Sequence, residues 1–181
     1  MHLQYTSYVF LIALTAALSV ALTIVAWQRH DVRAAGPFGF LTLAIFEWSL
    51  GYAFELSSAD LPMQIFWARV EYFGVVAVPL AWFAFTLVYT GREQWLGRRG
   101  LIFLGIVPLV TILLVWISDW HGLIWNHMAA LTAQSFSMMS PSYGAWLWVH
   151  TASSYVLILG GSTFILQNIT RTRYLAKPIS A

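Results

Sequence analysis

The stretch Tyr8–Trp27, YVFLIALTAALSVALTIVAW, runs without a charge and is followed at once by QRHDVR, which brings Arg29 and Arg33. At 1.5 Å per residue such a run makes a helix of about 30 Å, the thickness of a bilayer's hydrocarbon layer. The same pairing of apolar run and following cations recurs on alternate runs. Arg92, Arg98 and Arg99 follow the third run, and Arg171, Arg173 and Lys177 follow the fifth. The segments after the second and fourth runs carry no Lys or Arg, only Asp60 and Asp119, with Glu55 at a run's edge. Lys and Arg are retained on the cytoplasmic side of short loops. The order therefore predicts an all-α integral membrane protein, a five-transmembrane-helix bundle in the cell (plasma or inner) membrane. Its N-terminus is expected outside and its C-terminus in the cytoplasm.

Composition points the same way. Charged residues make up 9% of the chain, against about 25% in soluble domains, and the mean hydropathy is +0.73. The net charge of +2 is spread over three loops, so no clustered basic face exists for nucleic acid. The absence of cysteine excludes disulfides, thiolate metal sites and cysteine nucleophiles. The N-terminus has no basic leader, and its apolar run is too long for the core of a cleavable signal.

The whole chain, 1–181, reads as one membrane domain with helices expected at about 8–27, 37–55, 62–89, 100–118 and 143–167. Ala13, Ala17 and Ala21 lie four apart and form a small-residue stripe where a neighbouring helix can approach. Pro79 and Pro108 fall inside the third and fourth spans, where each removes a backbone hydrogen bond and favours a kink. Such a kink serves packing or acts as a hinge. Trp27 and Trp95 mark the inner interface, whereas Trp67, Trp116, Trp120, Trp125, Trp146 and Trp148 crowd the outer side. Tryptophan belts are ordinary at interfaces, but this excess suggests an aromatic surface or pocket. The outer segment 119–142 is long for a connection and holds a single charge, Asp119, among aromatics and methionines. It is expected to fold back over the helix ends as a lid.

Few residues invite chemistry. Glu47 is the acidic residue placed well inside a span, where a carboxylate is costly and marks either a functional site or a hydrogen-bonded structural position. Trp48, Tyr52 and Glu55, at i, i+4 and i+7, share one helix face. Arg69 and Glu71 begin the third span, so an Arg69–Glu55 or Arg69–Glu71 ion pair is expected between neighbouring antiparallel helices. His121, His127 and His150 sit at the outer end and are of the type that binds Zn or Cu. They lack i, i+4 spacing, however, and Asp119 is the nearest carboxylate, so no metal site is assigned. A transmembrane haem needs two histidines at matching depth, and His150 alone approaches a span. No phosphate-binding glycine loop or nucleophile arrangement is present, so the chain is not expected to be an enzyme. Without an inverted repeat it is not expected to be a transporter by itself. Nothing in these residues defines a cofactor.

A longer series of positions resembles a known family. It begins at Trp48-Ser-Leu-Gly-Tyr52-Ala-Phe-Glu55-Leu and continues through Phe66-Trp67-Ala-Arg69-Val-Glu71-Tyr72-Phe-Gly74. Pro79-Leu-Ala-Trp82, Phe85, Tyr89-Thr-Gly91-Arg92, Ile106-Val-Pro108, His121-Gly-Leu-Ile-Trp125 and Tyr143-Gly-Ala-Trp146-Leu-Trp148-Val-His150 follow in order. Together they resemble the N-terminal seven-helix membrane region of bacterial and archaeal sensor histidine kinases. In that family two more helices follow, then usually PAS and kinase or other output domains, whereas this chain stops about 14 residues after its fifth run. The resemblance implies a sensory or ligand-binding membrane module without its own kinase domain. Its ligand-binding candidates are Glu47, Trp48, Tyr52, Glu55, Arg69, Glu71, Trp82, His121, Trp125 and His150. The expected partners are the lipid bilayer and a membrane protein or separate cytoplasmic output protein, with no nucleic acid. A second expectation stands beside it: an accessory or scaffold subunit of a larger membrane complex, contacting pigments, cofactors or lipids.

Overall fold

In the computed structural model residues 7–29, 31–133 and 136–175 are described. Lys177 and the side chains of His127, Met128, Phe136, Met138, Met139 and Arg173 lie outside the described residues. Five helices run along the chain: α1 (Ser7–Gln28), α2 (Ala35–Ser57), α3 (Leu61–Tyr89), α4 (Arg98–Trp116) and α5 (Ala145–Leu175). Four of them, α1, α3, α4 and α5, are long and apolar enough to cross a membrane. The 23-residue α2 has the length, but Glu47, Glu55 and three glycines hold its hydropathy below that of the others. The centre is α3, which packs against α2, α4 and α5, while α1 rests on α2.

The face by which α1 meets α2 differs from the expected one. Ala13, Ala17 and Ala21 are exposed, and the buried stripe is Ala16, Ser19, Thr23 and Ala26. Thr23 Oγ1 lies 2.9 Å from Thr42 Oγ1, and each hydroxyl also reaches a carbonyl of its own helix, Ser19 O and Phe38 O. A helix that is apolar on every side has no preferred dry face. Its hydroxyls, which gain a partner only inside the bundle, therefore set the rotation.

Two glycines bring α2 and α3 together. A Cβ on Gly51 would meet Glu71 Cβ at 2.7 Å, and one on Gly74 would meet Glu47 Oε2 and Ala44 O. Each helix thus lays a glutamate over the other's glycine. At the short connection between them Gln64, almost fully buried, donates from Nε2 to Ser58 O at 2.8 Å. At its other end α3 closes with Gly91 at φ 71°. Arg92 N–H then reaches Leu87 O at 2.7 Å, a Schellman stop that glycine favours. Both α3 and α4 run unbroken through Pro79 and Pro108. The carbonyl four residues before each proline lacks its helical donor.

The segment expected as a lid-like loop forms a β-hairpin. Strand β1 (Trp125–Ala133) pairs antiparallel with β2 (Phe136–Tyr143), with an irregularity between Trp125 and His127. Glycines separate it from the helices on both sides: Gly122 at φ 62° and Gly144, whose N–H donates to Ile124 O at 2.8 Å. Pairing the two strands with each other satisfies backbone groups that a loose apolar loop would leave bare. The hairpin's root is part of the core. Ile124 and Trp125 are buried with Ala68, Tyr72, Val76 and Val115. Trp120, 91% exposed, takes no part in that packing. The all-α expectation therefore gains two strands, and the fifth helix begins after them at Ala145 rather than at Tyr143.

Candidate functional site

Where the hairpin root meets α2 and α3 there is a cavity of about 370 Å³. Helix α2 contributes Tyr52, Glu55 and Leu56, α3 contributes Ala68, Glu71 and Tyr72, and the hairpin contributes Trp125, Ser140, Pro141 and Tyr143. Tyr72 and Trp125 stand edge to face, their centroids 5.4 Å apart and their planes at 89°. The cavity's polar residues are two glutamates, three tyrosines and Ser140, with the indole of Trp125. Glu71 Oε2 is buried without a hydrogen-bond partner among the described residues, and Glu55 is 7% exposed.

Gly51 explains why Glu71 stands where it does. It lies midway in sequence between Glu47 and Glu55, so the α3 carboxylate crosses α2 between the two α2 carboxylates. Glu47, held over Gly74, likewise has a buried and unpartnered Oε2.

The expected ion pair is replaced by another. Arg69 Nη2 binds Asp119 Oδ1 at 2.6 Å rather than Glu55 or Glu71. Arg69 precedes Glu71 by two residues, about 200° around a helix, so the two side chains leave α3 in opposite directions. The guanidinium therefore points to the segment entering the hairpin and leaves the cavity's carboxylates without a cation.

Two grooves adjoin the cavity. One, about 730 Å³, lies between α1, α2 and α3 and includes Ile12, Ile45, Trp48, Tyr52 and Glu71. The other, about 280 Å³, lies between α2, α3 and α5 and includes Trp48, Tyr72, Pro79, His150 and Tyr155. Glu71 and Tyr52 belong to the cavity and the first groove, and Tyr72 to the cavity and the second. His150 is buried, 6.5 Å from Tyr72 between ring centroids, with Nδ1 unpartnered among the described residues.

Of the sequence candidates, Tyr52, Glu55, Glu71 and Trp125 line the cavity, Trp48 and His150 line its grooves, and Glu47 lies beside them at Gly74. Three lie elsewhere. Arg69 faces Asp119; Trp82 donates from Nε1 to Ile158 O at 3.2 Å and ties α3 to α5. His121 Nδ1 accepts from Leu123 N–H at 2.9 Å within its own turn. Tyr72, Ala68 and Tyr143 were not anticipated. Tyr72 carried a signal, since it follows Glu71 directly. Tyr143 carried none, because its position depends on strand pairing.

The arrangement is suited to binding. Two carboxylates lie among aromatic rings, and among the described residues no three His, Cys, Asp or Glu side chains form a set able to hold a metal ion. The comparisons with known proteins agree with a module of this kind. A family model described as the N-terminal 7TM region of histidine kinase matches residues 11–178, nearly the whole chain. No curated protein and no solved structure matches it. That family is the sensing membrane region of such kinases and not their catalytic domain. On that match, the chain belongs to the family of the N-terminal 7TM region of histidine kinases.

Proposed function

We propose that the chain is a ligand-responsive membrane input module, with five crossings, the hairpin outside the cell and the C-terminal end of α5 in the cytoplasm of a plasma or inner membrane. The observation that carries this reading is the course of α3. Its first turns wall the cavity with Ala68, Glu71 and Tyr72. From Tyr72 the helix then runs about 26 Å to its opposite end at Tyr89. There Arg92 Nη2 donates to Gln167 Oε1 at 3.2 Å and lies 4.7 Å from the Phe164 ring centroid on α5. One element thus reaches from ligand cavity to output end, with Pro79 midway. A ligand beneath the hairpin that prefers one arrangement of α3 shifts the whole helix by its difference in affinity for the two states. The output machinery on the cytoplasmic side reads the change; the module itself has no catalytic role.

The absence of native cysteine makes the test direct. Spin labels at Tyr89→Cys, at the C-terminal end of α3, and Thr170→Cys on α5, both exposed positions, report the α3–α5 distance at the output end. Releasing the hairpin with Asp119→Asn should change that distance distribution in lipid nanodiscs. An unchanged distribution removes the coupling on which the reading depends. Purification with stoichiometric membrane subunits and no such coupling would instead identify an accessory subunit.

A further inference from the structure

The cavity's composition narrows the ligand's chemistry, and this deepens the input-module reading. We propose that the cavity at the hairpin root receives a small organic ammonium ion, its charge set against Glu55 and Glu71 and its substituents against the rings of Tyr72, Trp125 and Tyr143.

Three observations carry this. First, the cavity brings two carboxyl groups, Glu55 and Glu71, together. No Lys or Arg lines it, and Arg69, the cation of the same helix, is committed to Asp119. Glu55 is 7% exposed, and Glu71 Oε2 is buried without a hydrogen-bond partner among the described residues. A buried carboxyl group is either protonated or set against a cation, and a cation entering the cavity favours its ionised form. Second, Tyr72, 8% exposed, lines the same cavity, and a phenol oxygen can accept a hydrogen bond. Third, three aromatic residues, Tyr72, Trp125 and Tyr143, line the same cavity, the first two edge to face with planes at 89°. Ring faces of this kind attract a desolvated cation and form the cages that hold alkylammonium groups.

Other ligand classes fit less well. A bare metal ion finds no suitable ligand set among the described residues. An uncharged apolar molecule would make no use of either carboxyl group. A volume of about 370 Å³ accommodates a molecule the size of choline. The first groove joins the cavity at Tyr52 and Glu71 and is otherwise largely apolar. The ammonium therefore comes either from solution or from a lipid headgroup whose chains lie along Ile12 and Ile45. The recognition chemistry is the same.

The test uses the full chain in dodecyl maltoside, which carries no charge. Choline and tetramethylammonium are titrated by calorimetry against 3,3-dimethylbutan-1-ol, the uncharged isostere of choline, and against sodium. Choline should bind about tenfold or more tighter than its isostere, and sodium should not compete. Glu55→Gln and Glu71→Gln should each weaken choline about tenfold while leaving the isostere unchanged. Tyr143→Leu, at a half-exposed position outside the core cluster, tests the cage without disturbing the fold. It should weaken tetramethylammonium several-fold, roughly the loss of one ring. Equal binding of choline and isostere, unchanged choline binding in both glutamine variants, or no binding of either cation overturns the proposal. Added phosphatidylcholine that competes with choline identifies the headgroup as the source, and failure to compete identifies the dissolved ion; both require that choline binds. The spin-label distance separates the two readings. Choline binding without a distance change leaves the cation site standing and removes the sensor. A distance change in Asp119→Asn without cation binding does the reverse.

Discussion

Arg69 Nη2 lies 2.6 Å from Asp119 Oδ1, joining α3 to the turn that leads into the hairpin across fifty residues of sequence. The arginine side chain is 18% exposed and the aspartate 62%, so the pair sits at the rim of the packed region. There it acts as a latch.

The latch should be worth about 1 kcal/mol, the scale of a partly exposed, well-directed pair. A double-mutant cycle of Arg69→Ala and Asp119→Ala, followed by thermal unfolding in mild detergent, should show coupling of that size. Adding Glu55→Gln or Glu71→Gln to Arg69→Ala should recover no stability, because neither is the arginine's partner. Recovery by either one would place the guanidinium in the cavity.

Glycine positions should separate by what faces them. Gly51→Ala and Gly74→Ala each drive a methyl into the opposite helix and should cost about 1–3 kcal/mol by overpacking. Gly105→Ala, with open space around it, should be neutral or stabilise by up to about 1 kcal/mol through helix propensity. Melting temperatures of the three variants check the order; equal effects would mean that α2 and α3 are not in close contact.

Hairpin register can be read by cross-linking. Ala129 pairs with Ser140, so the Ala129→Cys, Ser140→Cys protein should form a disulfide readily on mild oxidation. The control pair Ala130→Cys, Ser140→Cys is displaced by one residue and points to opposite faces of the ladder, so it should not. Efficient closure of both pairs would mean that the strands slip.

Orientation has its own measurement. A reporter fused after Lys177 should be cytoplasmic, and a tag at Gln134 should be reached from outside. Finding both on one side would mean an even number of crossings. Protease added to intact, outward-facing membranes should leave the hairpin largely uncut, and rapid cleavage between His127 and Phe136 would show it unpaired.

The helices were legible because each apolar run is long and its neighbours are marked by charge or by its absence. Their rotations were not. In α1 the alanines suggested one stripe and the hydroxyls of Ser19 and Thr23 determined another, and no polar face existed to choose between them in advance. The hairpin escaped notice because 119–142 shows no clean alternation, and its strands are fixed by each other and by Gly122 and Gly144. Arg69 was assigned to the carboxylates nearest in sequence. Helix periodicity turns it away from Glu71, and Asp119, the lone charge of its segment, was the available complement. Of the site, Glu55, Glu71, Tyr52 and Trp125 could be named from sequence, whereas Tyr143 became part of it only once β2 was paired.

The glycine-to-glutamate crossings between α2 and α3 also bear on where the bundle can move. Reciprocal contacts at Gly51 and Gly74 resist both sliding and rotation, and α1 is fastened to α2 through Thr23 and Thr42. Helices α4 and α5, by contrast, touch each other only lightly and each packs chiefly on α3, α5 with side-chain bonds to Trp82 of α3 and to Arg92 in the turn that follows it. The trio of α1, α2 and α3 is therefore the stiff part of the molecule, with α4 and α5 leaning on it separately. Displacement meets least resistance between α4 and α5.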